Sequence, residues 1–553
     1  MIEMMKKLMV VFFILIGMRG MGQVPTWEWA RQGVCNSNGN SDETNIATDA
    51  YGNVYETGIF TGTLSFDNYS LTGVNSVYLV KYNSSGNVIW AKCSSGTGDG
   101  IAYGIATDFE GNIYITGGSQ SPSIIFGSYT IINDSSPSFH IFIVKYDPNG
   151  NVLWGKGIDG IGVGNAITTD ASGNIFLTGY FISQILTCGT HSINNLGYSN
   201  IFIAKFDPMG NPIWVKDFGG SGDDVGNSIT HDNFGNFYLG GTFGSPIAYF
   251  GVDSIINLGV NDLLFARFDS SGNVIWLKSG IGVAASIDYC YGLATDSQGN
   301  IYAAGGFNSP TNIFGSDTLI NYGGGWTVFI VKYDSSGNVL WAKSSVGNGL
   351  AYSITSDSSG NTFLCGTLNA LDLIFDTVNI PLPSGYYDAM FMVKYNSSGN
   401  ALFGFGFTSG GDDYSSVALD PFGSLYLGGD FFNVNPFIIG NDSLILSGLE
   451  TPFIAKFGLP GDGIPKISPQ PTISLFPNPF STTATLSIRN YESGMGNGEV
   501  RIINLLGQEV KTIPIINQKE ITINRDNLAE GMYFYKIIGN NNESIAVGKI
   551  VIQ

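Results

Sequence analysis

A ten-residue pattern recurs seven times along the chain and constrains its fold more than any other feature. The pattern is Asp-x-x-Gly-Asn-x-(Tyr/Phe)-x-x-Gly, and successive copies start 59 to 64 residues apart. They start at Asp49, Asp108, Asp170, Asp232, Asp296, Asp357 and Asp420, the last with Ser424 in place of Asn. A fixed period of this length indicates repeated supersecondary units that bury their faces against each other. Roughly 60 residues accommodate four short strands with their turns, the size of one propeller blade.

A second pattern follows each copy of the first by about 35 residues. It is Lys-(Tyr/Phe)-(Asp/Asn)-x-x-Gly-Asn-x-x-Trp-x-Lys, and its copies start at Lys81, Lys145, Lys205, Arg267, Lys332 and, in a half-kept form, Lys394. A seventh copy starts at Lys456 but stops at Gly458, while an unpaired Trp29-Ala30-Arg31 lies near the N-terminus. These two halves complement each other. The sequence therefore predicts an all-β, seven-bladed β-propeller that the N-terminal strand closes, which removes exposed sheet edges.

Both patterns are typical of β-hairpins. Their Asp or Asn suits the start of a turn, and their Gly suits the position that needs a positive φ. The recurring Asp, Asn, Gly and Trp are therefore expected to serve turns and packing. The tight turns should share one rim, and the longer, variable segments should lie on the opposite rim, where we expect any ligand to bind.

The composition narrows the classes of partner. Of 553 residues, 12% are charged, and the formal net charge is −20. This balance argues against nucleic acid or an anionic membrane as a partner, since both require clustered Lys and Arg. Residues 1–22 have the charged start, apolar core and small-residue exit of a secretory signal, and the apolar run is too short to span a bilayer. We therefore expect export, with no transmembrane segment.

The cysteines and histidines give no catalytic or metal-binding pattern. The five cysteines, which are scattered and odd in number, fit neither a disulfide framework nor metal-ligand spacing, so one incidental pair is possible and at least one thiol is free. The three histidines are His140, His191 and His231, and no Gly-x-Ser-x-Gly elbow accompanies them. His231 replaces the Thr, Ser or Leu of other repeats and is expected to be a plain strand residue.

Two classes of glycan-acting enzyme remain to be weighed. A sialidase-type propeller needs three clustered arginines, and the mature propeller has only Arg31 and Arg267, both at positions where other repeats have Lys. A glycosidase needs only two suitably spaced carboxylates. The pairs Asp223-Asp224 and Asp412-Asp413 are candidates, although acidic, solvated loops are the more ordinary interpretation.

Acidic, Gly-rich loops precede several copies of the first pattern. They include Asp159 and Asp288, and the ligand-binding candidates among them are Asp99, Asp223, Asp224, Asp412 and Asp413. A ring of such carboxylates on the variable rim would bind Ca²⁺ or offer hydrogen-bond acceptors to a glycan. None of these loops has EF-hand spacing. The sequence predicts no cofactor and leaves a Ca²⁺ site open.

The pattern changes after residue 459. Residues 460–472 are rich in Gly and Pro and predict a linker. Residues 473–553 alternate in hydrophobicity and predict a small β-sandwich. It contains four ordered blocks: Leu475-Phe476-Pro477-Asn478-Pro479-Phe480, the segment 500–510, the segment 528–536 and Gly548-Lys549-Ile550-Val551-Ile552.

These four blocks resemble the type A sorting domain of the Bacteroidetes type IX secretion system. The resemblance implies passage through the periplasm and across the outer membrane, with release or surface attachment of the rest of the chain. It assigns sorting roles to Pro477, Asn478, Pro479, Gly507, Gly531, Tyr533, Gly548 and Lys549. The propeller repeats, in turn, resemble the bacterial repeats known as SBBP, a family without a single established activity.

The sequence therefore predicts a signal at 1–22, a propeller at 23–459, a linker at 460–472 and a sorting domain at 473–553. We expect a secreted or surface-located monomer that acts as a noncatalytic binding or display module. Its expected partners are the type IX machinery and a glycan or surface protein. The alternative is a polysaccharide-acting enzyme that uses carboxylates of the variable rim.

Overall fold

The computed structural model describes most of the chain as β-strands. The described residues are 26–458 and 472–552, apart from 37–38, 97–98, 134–137, 283–285, 384–387, 409–414, 477, 479, 490–497, 505–508, 516–519, 527 and 539–543. Within them, no helix is present, so none is long and apolar enough to cross a membrane. The predicted signal at 1–22 lies outside the described residues.

Seven repeats share one pairing order of their strands. In each repeat, the first strand pairs with the second, the second with the third and the third with the fourth. The first strands are Asn40–Thr48, Gly100–Thr107, Val152–Thr169, Asp224–His231, Asp288–Thr295, Gly349–Ser356 and Ser415–Leu419. The second strands are Val54–Phe66, Ile113–Ser119, Ile175–Phe181, Phe237–Phe243, Ile301–Phe307, Thr362–Leu368 and Leu425–Phe432. Val152–Thr169 is continuous and serves both as the fourth strand of repeat 2 and as the first of repeat 3.

The outer half of each repeat follows the same order. The third strands are Tyr69–Tyr82, His140–Tyr146, Asn200–Phe206, Asp262–Phe268, Thr327–Tyr333, Ala389–Tyr395 and Glu450–Gly458. The fourth strands are Val88–Cys93, Val152–Thr169, Pro212–Phe218, Val274–Gly282, Val339–Ser344, Ala401–Phe407 and Thr26–Gln32. Three of the third strands are buried along their whole length, and the other four are buried over most of their inner part, because these strands are largely apolar on both faces.

Repeats 2 to 7 add a short hairpin between their second and third strands. These hairpins are Ser123–Phe126 with Tyr129–Ile132, Ile185–Cys188 with His191–Asn194, Ile247–Phe250 with Asp253–Ile256, Thr311–Phe314 with Asp317–Ile320, Asp372–Phe375 with Val378–Pro381, and Phe437–Ile439 with Asp442–Leu444. The two remaining short strands are Val34–Cys35 and Ser95–Gly96.

The first pattern forms a tight turn whose Asp organises the loop. In repeat 1, the Asp49 carboxylate accepts hydrogen bonds from the amides of Tyr51 and Asn53, both at 2.9 Å, and from the Asn53 side chain at 2.7 Å. Gly52 has a φ of 79°, a left-handed conformation that glycine adopts without strain. The Tyr55 hydroxyl also donates to this carboxylate, at 2.9 Å. Equivalent backbone bonds and bonds to the Asp carboxylate occur in every repeat, which confirms the predicted hairpins.

The second pattern ties each repeat to the next one. In repeat 1, the Lys81 ammonium lies 5.3 Å from the Tyr55 ring centroid and donates to the Pro148 carbonyl of repeat 2 at 3.0 Å. The Trp90 indole nitrogen donates to the same carbonyl at 3.1 Å. A Cβ on Gly150 would lie 2.9 Å from the Trp90 ring. The recurring Lys, Trp and Gly are therefore packing residues, because they form the contact between neighbouring repeats.

The last repeat makes the same contacts with the first. Thr26–Gln32 pairs antiparallel with Glu450–Gly458, with Trp27 opposite Phe457, which confirms the predicted pairing of the N-terminal strand. The Trp29 indole nitrogen and the Lys456 ammonium both donate to the Ser84 carbonyl of repeat 1, each at 3.2 Å. One hydrophobic cluster joins Trp29 and residues of repeat 1 to residues of repeat 7.

The cysteines are all unpaired. Cys35, Cys188, Cys290 and Cys365 are buried, and Cys93 is partly buried. Burial raises the pKa of Cys35, Cys188 and Cys365 to about 12. These thiols therefore stay protonated and pack as small apolar groups, which settles the pairing that the sequence left open.

The chain divides into two compact units between Pro460 and Gly461. The C-terminal unit has a three-stranded sheet of Thr472–Phe476, Thr483–Arg489 and Glu520–Asn524. Its four-stranded sheet consists of Glu509–Ile515, Gly498–Ile503, Gly531–Ile538 and Ser544–Ile552. Side chains of both sheets form one core, including Leu486, Val500, Ile523 and Ile550. Two sheets that share a core make a β-sandwich.

Candidate functional site

A single cavity of about 370 Å³ is lined by residues from the first strands of all seven repeats. This size lies within the range of roughly 300–1,000 Å³ that is usual for ligand pockets. The cavity therefore collects side chains that are more than 300 residues apart in sequence, such as Asn45 and Ser416, on one surface.

In repeats 2 to 6, a bulge in the first strand leaves one extra residue that lines this cavity. The pairing register shifts between Ala102 and Gly104, for example, which leaves Tyr103 as the extra residue. Such bulges redirect side chains and are common beside functional sites. The equivalent residues of repeats 3 to 6 are Asn165, Asn227, Tyr291 and Tyr352, and all of them line the cavity. We call this set the bulge column, including Tyr103.

The side-chain amides of the two asparagines of the bulge column are each bound by a carbonyl group of the next repeat. The Asn165 side-chain nitrogen donates to the Gly226 carbonyl, and the Asn227 side-chain nitrogen donates to the Cys290 carbonyl, each at 3.0 Å. Within the described residues, neither amide oxygen accepts a hydrogen bond from the chain. Each amide is thus fixed by the next repeat and keeps an acceptor for a ligand.

Four aromatic side chains form a continuous series that we call the aromatic run. The Trp326 and Tyr289 rings stack with centroids 5.2 Å apart and an interplanar angle of 24°. The Tyr289 and Tyr291 centroids are 5.4 Å apart, and those of Tyr291 and Tyr352 are 5.6 Å apart. All four side chains are half-buried. The run therefore joins the beginning of the strand Asp288–Thr295 to the cavity.

One carboxyl group also lines the cavity. Glu43 lies in the irregular stretch of the first strand of repeat 1 and has a φ of 60°. Its amide donates to the Asp42 carboxylate at 2.7 Å. Burial, and to a smaller degree the charge of Asp42, raises the pKa of Glu43 to about 8. Glu43 is therefore mostly protonated at neutral pH, and it is a hydrogen-bond donor there.

The acidic candidates that the structure describes do not form one cluster. Asp99 is half-buried and accepts a hydrogen bond from the Asn75 side chain at 2.6 Å. Asp223 is exposed and accepts one from the Ser199 hydroxyl at 3.3 Å. Asp412 and Asp413 lie outside the described residues. Across the part of the chain that the structure describes, no group of three or more His, Cys, Asp or Glu side chains is arranged to hold a metal ion.

The expectation of a solvated carboxylate is wrong for Asp224. Its side chain is fully buried and accepts hydrogen bonds from the amides of Gly220 at 2.8 Å and Gly244 at 3.1 Å. It accepts two more from Ser245, through the amide at 3.1 Å and the hydroxyl at 2.6 Å. Burial raises the pKa of Asp224, although these hydrogen bonds oppose the rise. Asp224 is therefore a loop-fixing residue, because its oxygens are occupied by the protein.

Asp288 occupies the equivalent position in repeat 5 and is also buried, not solvated. Its carboxyl group accepts hydrogen bonds from the Ser309 hydroxyl and from the Asn312 side chain at 2.8 Å. Burial raises its pKa to about 6 against these hydrogen bonds. Two acidic loops thus share one internal hydrogen bond, in which a buried carboxyl group accepts from a serine hydroxyl about 21 residues further along.

His231 is a structural strand residue. Its Nδ1 lies 2.9 Å from the Thr168 hydroxyl oxygen, and its carbonyl accepts from the Thr295 hydroxyl at 2.8 Å. Burial lowers the pKa of its imidazole. The side chain therefore stays neutral and connects three neighbouring repeats, as we expected of a strand residue at this position.

The sorting residues belong to the C-terminal unit. Asn478 accepts a hydrogen bond from the Val551 amide at 2.8 Å, which anchors the opening block to the last strand. Tyr533 is buried and donates to the Ala529 carbonyl at 3.0 Å. Gly531 begins its strand, and Gly548 and Lys549 pair with that strand. Pro477, Pro479 and Gly507 lie outside the described residues, and the sorting roles remain predictions.

The bulge column is the part of the site that our sequence analysis missed. In repeats 2 to 6, its members lie five residues before the Asp of the first pattern, where the sequence has either Tyr or Asn while the flanking positions stay small. Variation within an otherwise regular repeat is the signal that would have found them. The bulge itself, which decides where these side chains point, leaves no clear trace in the sequence.

Comparisons with known proteins agree with the division of the chain into a repeat region and a C-terminal unit. Residues 474–553 match the model of the Secretion system C-terminal sorting domain. Residues 94–122 and 279–306 match that of the Beta-propeller repeat. A WD repeat-containing protein of Acanthamoeba polyphaga mimivirus, itself uncharacterized, is 25% identical over 61% of this chain. This chain spans only 30% of the length of that relative.

One solved structure was also similar, at a low level. It is a protein of unknown function from Dyadobacter fermentans, 10% identical, with 78% of this chain and 99% of the other covered and a TM-score of 0.35. The two family matches are the findings that identify the parts of this chain. The chain thus contains beta-propeller repeats and a type IX C-terminal sorting domain, and this domain indicates export with attachment at, or release from, the cell surface.

Proposed function

We propose that the seven repeats form a seven-bladed propeller closed by the N-terminal strand. Contacts between repeats 7 and 1 support this arrangement. Besides the bonds to Ser84, the Ile46 amide donates to the Ser416 hydroxyl at 3.3 Å, and the Thr48 hydroxyl donates to the Leu419 carbonyl at 2.7 Å. The latter bond has counterparts between repeats 2 and 1 and between repeats 3 and 2. The junction of the chain ends thus uses the same chemistry as an ordinary junction.

The propeller acts as a noncatalytic binding or display module at the cell surface. The observation that carries this proposal is the bulge column, because the side chains that vary among regular repeats converge on one cavity. Tyr and Asn are side chains that recognise a ligand through ring faces and hydrogen bonds. A rigid scaffold that presents variable residues is the usual arrangement of a binding site.

The alternative is a polysaccharide-acting enzyme, and one observation favours it. Glu43 has a raised pKa and adjoins Asp42, so the pair combines a protonated and an ionisable carboxyl group, as a general acid and its partner do. Burial of Asp224 weakens the pair Asp223-Asp224 as a candidate for catalysis. The pair Asp412-Asp413 lies outside the described residues and stays a prediction.

A combined binding and turnover assay on the mature chain separates the two functions. The chain is immobilised, exposed to a panel of glycans and purified surface proteins, and the bound material is eluted and analysed. Saturable retention of an unaltered ligand is the expected result. Retention of nothing contradicts the binding proposal. Release of new reducing ends that Glu43→Gln abolishes replaces it with the enzyme.

A further inference from the structure

The aromatic run leads from the rim where the loops lie into the cavity. Tyr289 and Tyr291 are the second and fourth residues of the strand Asp288–Thr295, and the bulge at Tyr291 leaves their ring centroids 5.4 Å apart, so the two rings lie side by side. Trp326 immediately precedes the strand Thr327–Tyr333. A ligand that follows these rings passes from the rim toward the interior of the cavity.

Polar groups lie directly beside the rings. The Asn227 side chain is bonded to the carbonyl of Cys290, the residue between Tyr289 and Tyr291. Its amide oxygen is therefore fixed next to the run. Ring faces with a fixed acceptor at their edge match the surface of a pyranose, which has an apolar C–H face and a rim of hydroxyl groups.

The charges around the cavity favour an uncharged ligand. No Lys or Arg is among the described residues that line it, and the chain carries a net charge of −20, so an anionic polymer is repelled. Glu43 does not select a cation at neutral pH, because burial raises its pKa to about 8. Its protonated carboxyl group offers a hydrogen-bond donor to a ligand instead.

From this geometry we propose that the aromatic run and Asn227 bind one end of a neutral carbohydrate chain, with sugar rings stacked on Tyr291 and Tyr352. This inference rests on the proposed binding function and gives its ligand a chemical class. An extended peptide is the competing occupant, and titration with a peptide distinguishes it from a carbohydrate.

The test titrates the mature full chain with neutral hexasaccharides. Cellohexaose, xylohexaose, maltohexaose, laminarihexaose and chitohexaose serve as probes, with an oligogalacturonate as the anionic control and an unstructured neutral peptide as the polymer control. Calorimetry and tryptophan fluorescence report binding. We expect one-to-one binding of at least one neutral sugar, and none of the oligogalacturonate.

Matched variants locate the site. Tyr291→Ala and Tyr352→Ala each weaken sugar binding about tenfold or more, because each removes a stacked ring. Tyr322→Ala leaves binding unchanged, since Tyr322 is exposed and outside the run. Tyr291→Phe keeps the ring without the hydroxyl and retains binding within a few-fold. Retained binding by Tyr291→Phe also shows that the loss in Tyr291→Ala comes from the missing ring and not from misfolding.

The possible results have distinct meanings. Failure of every neutral hexasaccharide to bind, or binding that Tyr291→Ala and Tyr352→Ala leave intact, overturns this inference. Binding of the peptide alone with the same dependence on Tyr291 overturns the carbohydrate class and keeps the binding function. Cleavage of a bound sugar by the wild-type chain overturns the noncatalytic function while the ligand class stands.

Discussion

Neighbouring aspartates with the same sequence signal have different roles in this protein. Asp223 is exposed and makes one long hydrogen bond, whereas Asp224 is buried and accepts four. The sequence favours acidic, solvated loops for both aspartates, and this interpretation implies that replacement of either by Asn leaves the fold intact. The structure reverses that expectation for Asp224, because its two oxygens face only donors.

The pair provides a matched test. In Asp224→Asn, one oxygen becomes an NH₂ group that opposes an amide or hydroxyl donor in either orientation, so we expect a loss of about 1–3 kcal/mol in the free energy of unfolding. Asp223→Asn should change it by no more than about 0.5 kcal/mol. Urea denaturation measures both. Equal stability of the two variants would contradict the assigned role of Asp224.

Glu56 is a buried acid at a position where the other repeats have Ile, Leu or Ala. The hydroxyl groups of Tyr82 and Tyr78 donate to it at 2.6 and 3.1 Å. Burial raises its pKa to about 7, although these two hydrogen bonds lower it. The folded protein therefore holds this proton at pH values where the unfolded chain has released it.

The stability of the protein should therefore depend on pH through Glu56. A raised pKa in the folded state gives stability that is complete below about 4.5, the usual pKa, and is lost as pH rises toward about 7. We expect a loss of up to about 3 kcal/mol across this interval, since one pKa unit equals about 1.4 kcal/mol. Glu56→Gln should lack that slope when thermal unfolding of both proteins is followed from pH 4 to 8. Parallel curves would refute the assignment.

At the scale of elements, the hairpins were predictable because their chemistry is local. A turn with Asp, Gly and Asn or Ser at fixed spacing needs no distant partner, and the structure has it in every repeat. The bulges depend on the neighbouring repeat, and the buried carboxyl–serine hydrogen bonds depend on the opposite loop. The sequence of one segment therefore determines neither of them. The predicted hairpins are thus confirmed, whereas the bulge column and the burial of Asp224 became evident only in three dimensions.

Two turn glycines separate backbone strain from packing. Gly150 and Gly235 have φ values of 79° and 84°, but a Cβ would meet the Trp90 ring at 2.9 Å from Gly150 and nothing within 4 Å from Gly235. Gly235→Ala should cost about 1 kcal/mol for the left-handed conformation alone. Gly150→Ala should cost at least about 1 kcal/mol more, because the indole must move. A smaller loss for Gly150→Ala in urea denaturation would show that the Trp contact contributes little.

At the scale of the whole molecule, the chain combines a repeat region and a sorting domain with separate cores. The sorting domain could be located from its ordered blocks, since each block carries its own sequence signal. The ligand could not be predicted from the sequence, because the cavity is assembled from residues of seven repeats that are far apart in sequence.

Removal of the sorting domain should affect delivery and leave folding intact. A chain that ends before Thr472 keeps the complete repeat region, so we expect a folded protein with unchanged β-sheet circular dichroism. It should accumulate in the periplasm, because it lacks residues 474–553, which match the sorting domain. Cell fractionation measures this, with the full chain as the control. Normal surface delivery of the truncated chain would disprove the role of the sorting domain.

The central claim is that the N-terminal strand closes the ring of repeats. Hydrogen exchange of the intact protein, followed by mass spectrometry, tests it directly on the backbone amides of Thr26–Gln32. These amides pair with Glu450–Gly458, so they should be protected as well as those of Val339–Ser344, a fourth strand within the chain. Exchange of Thr26–Gln32 at the rate of an unstructured terminus, while Val339–Ser344 remains protected, would contradict closure.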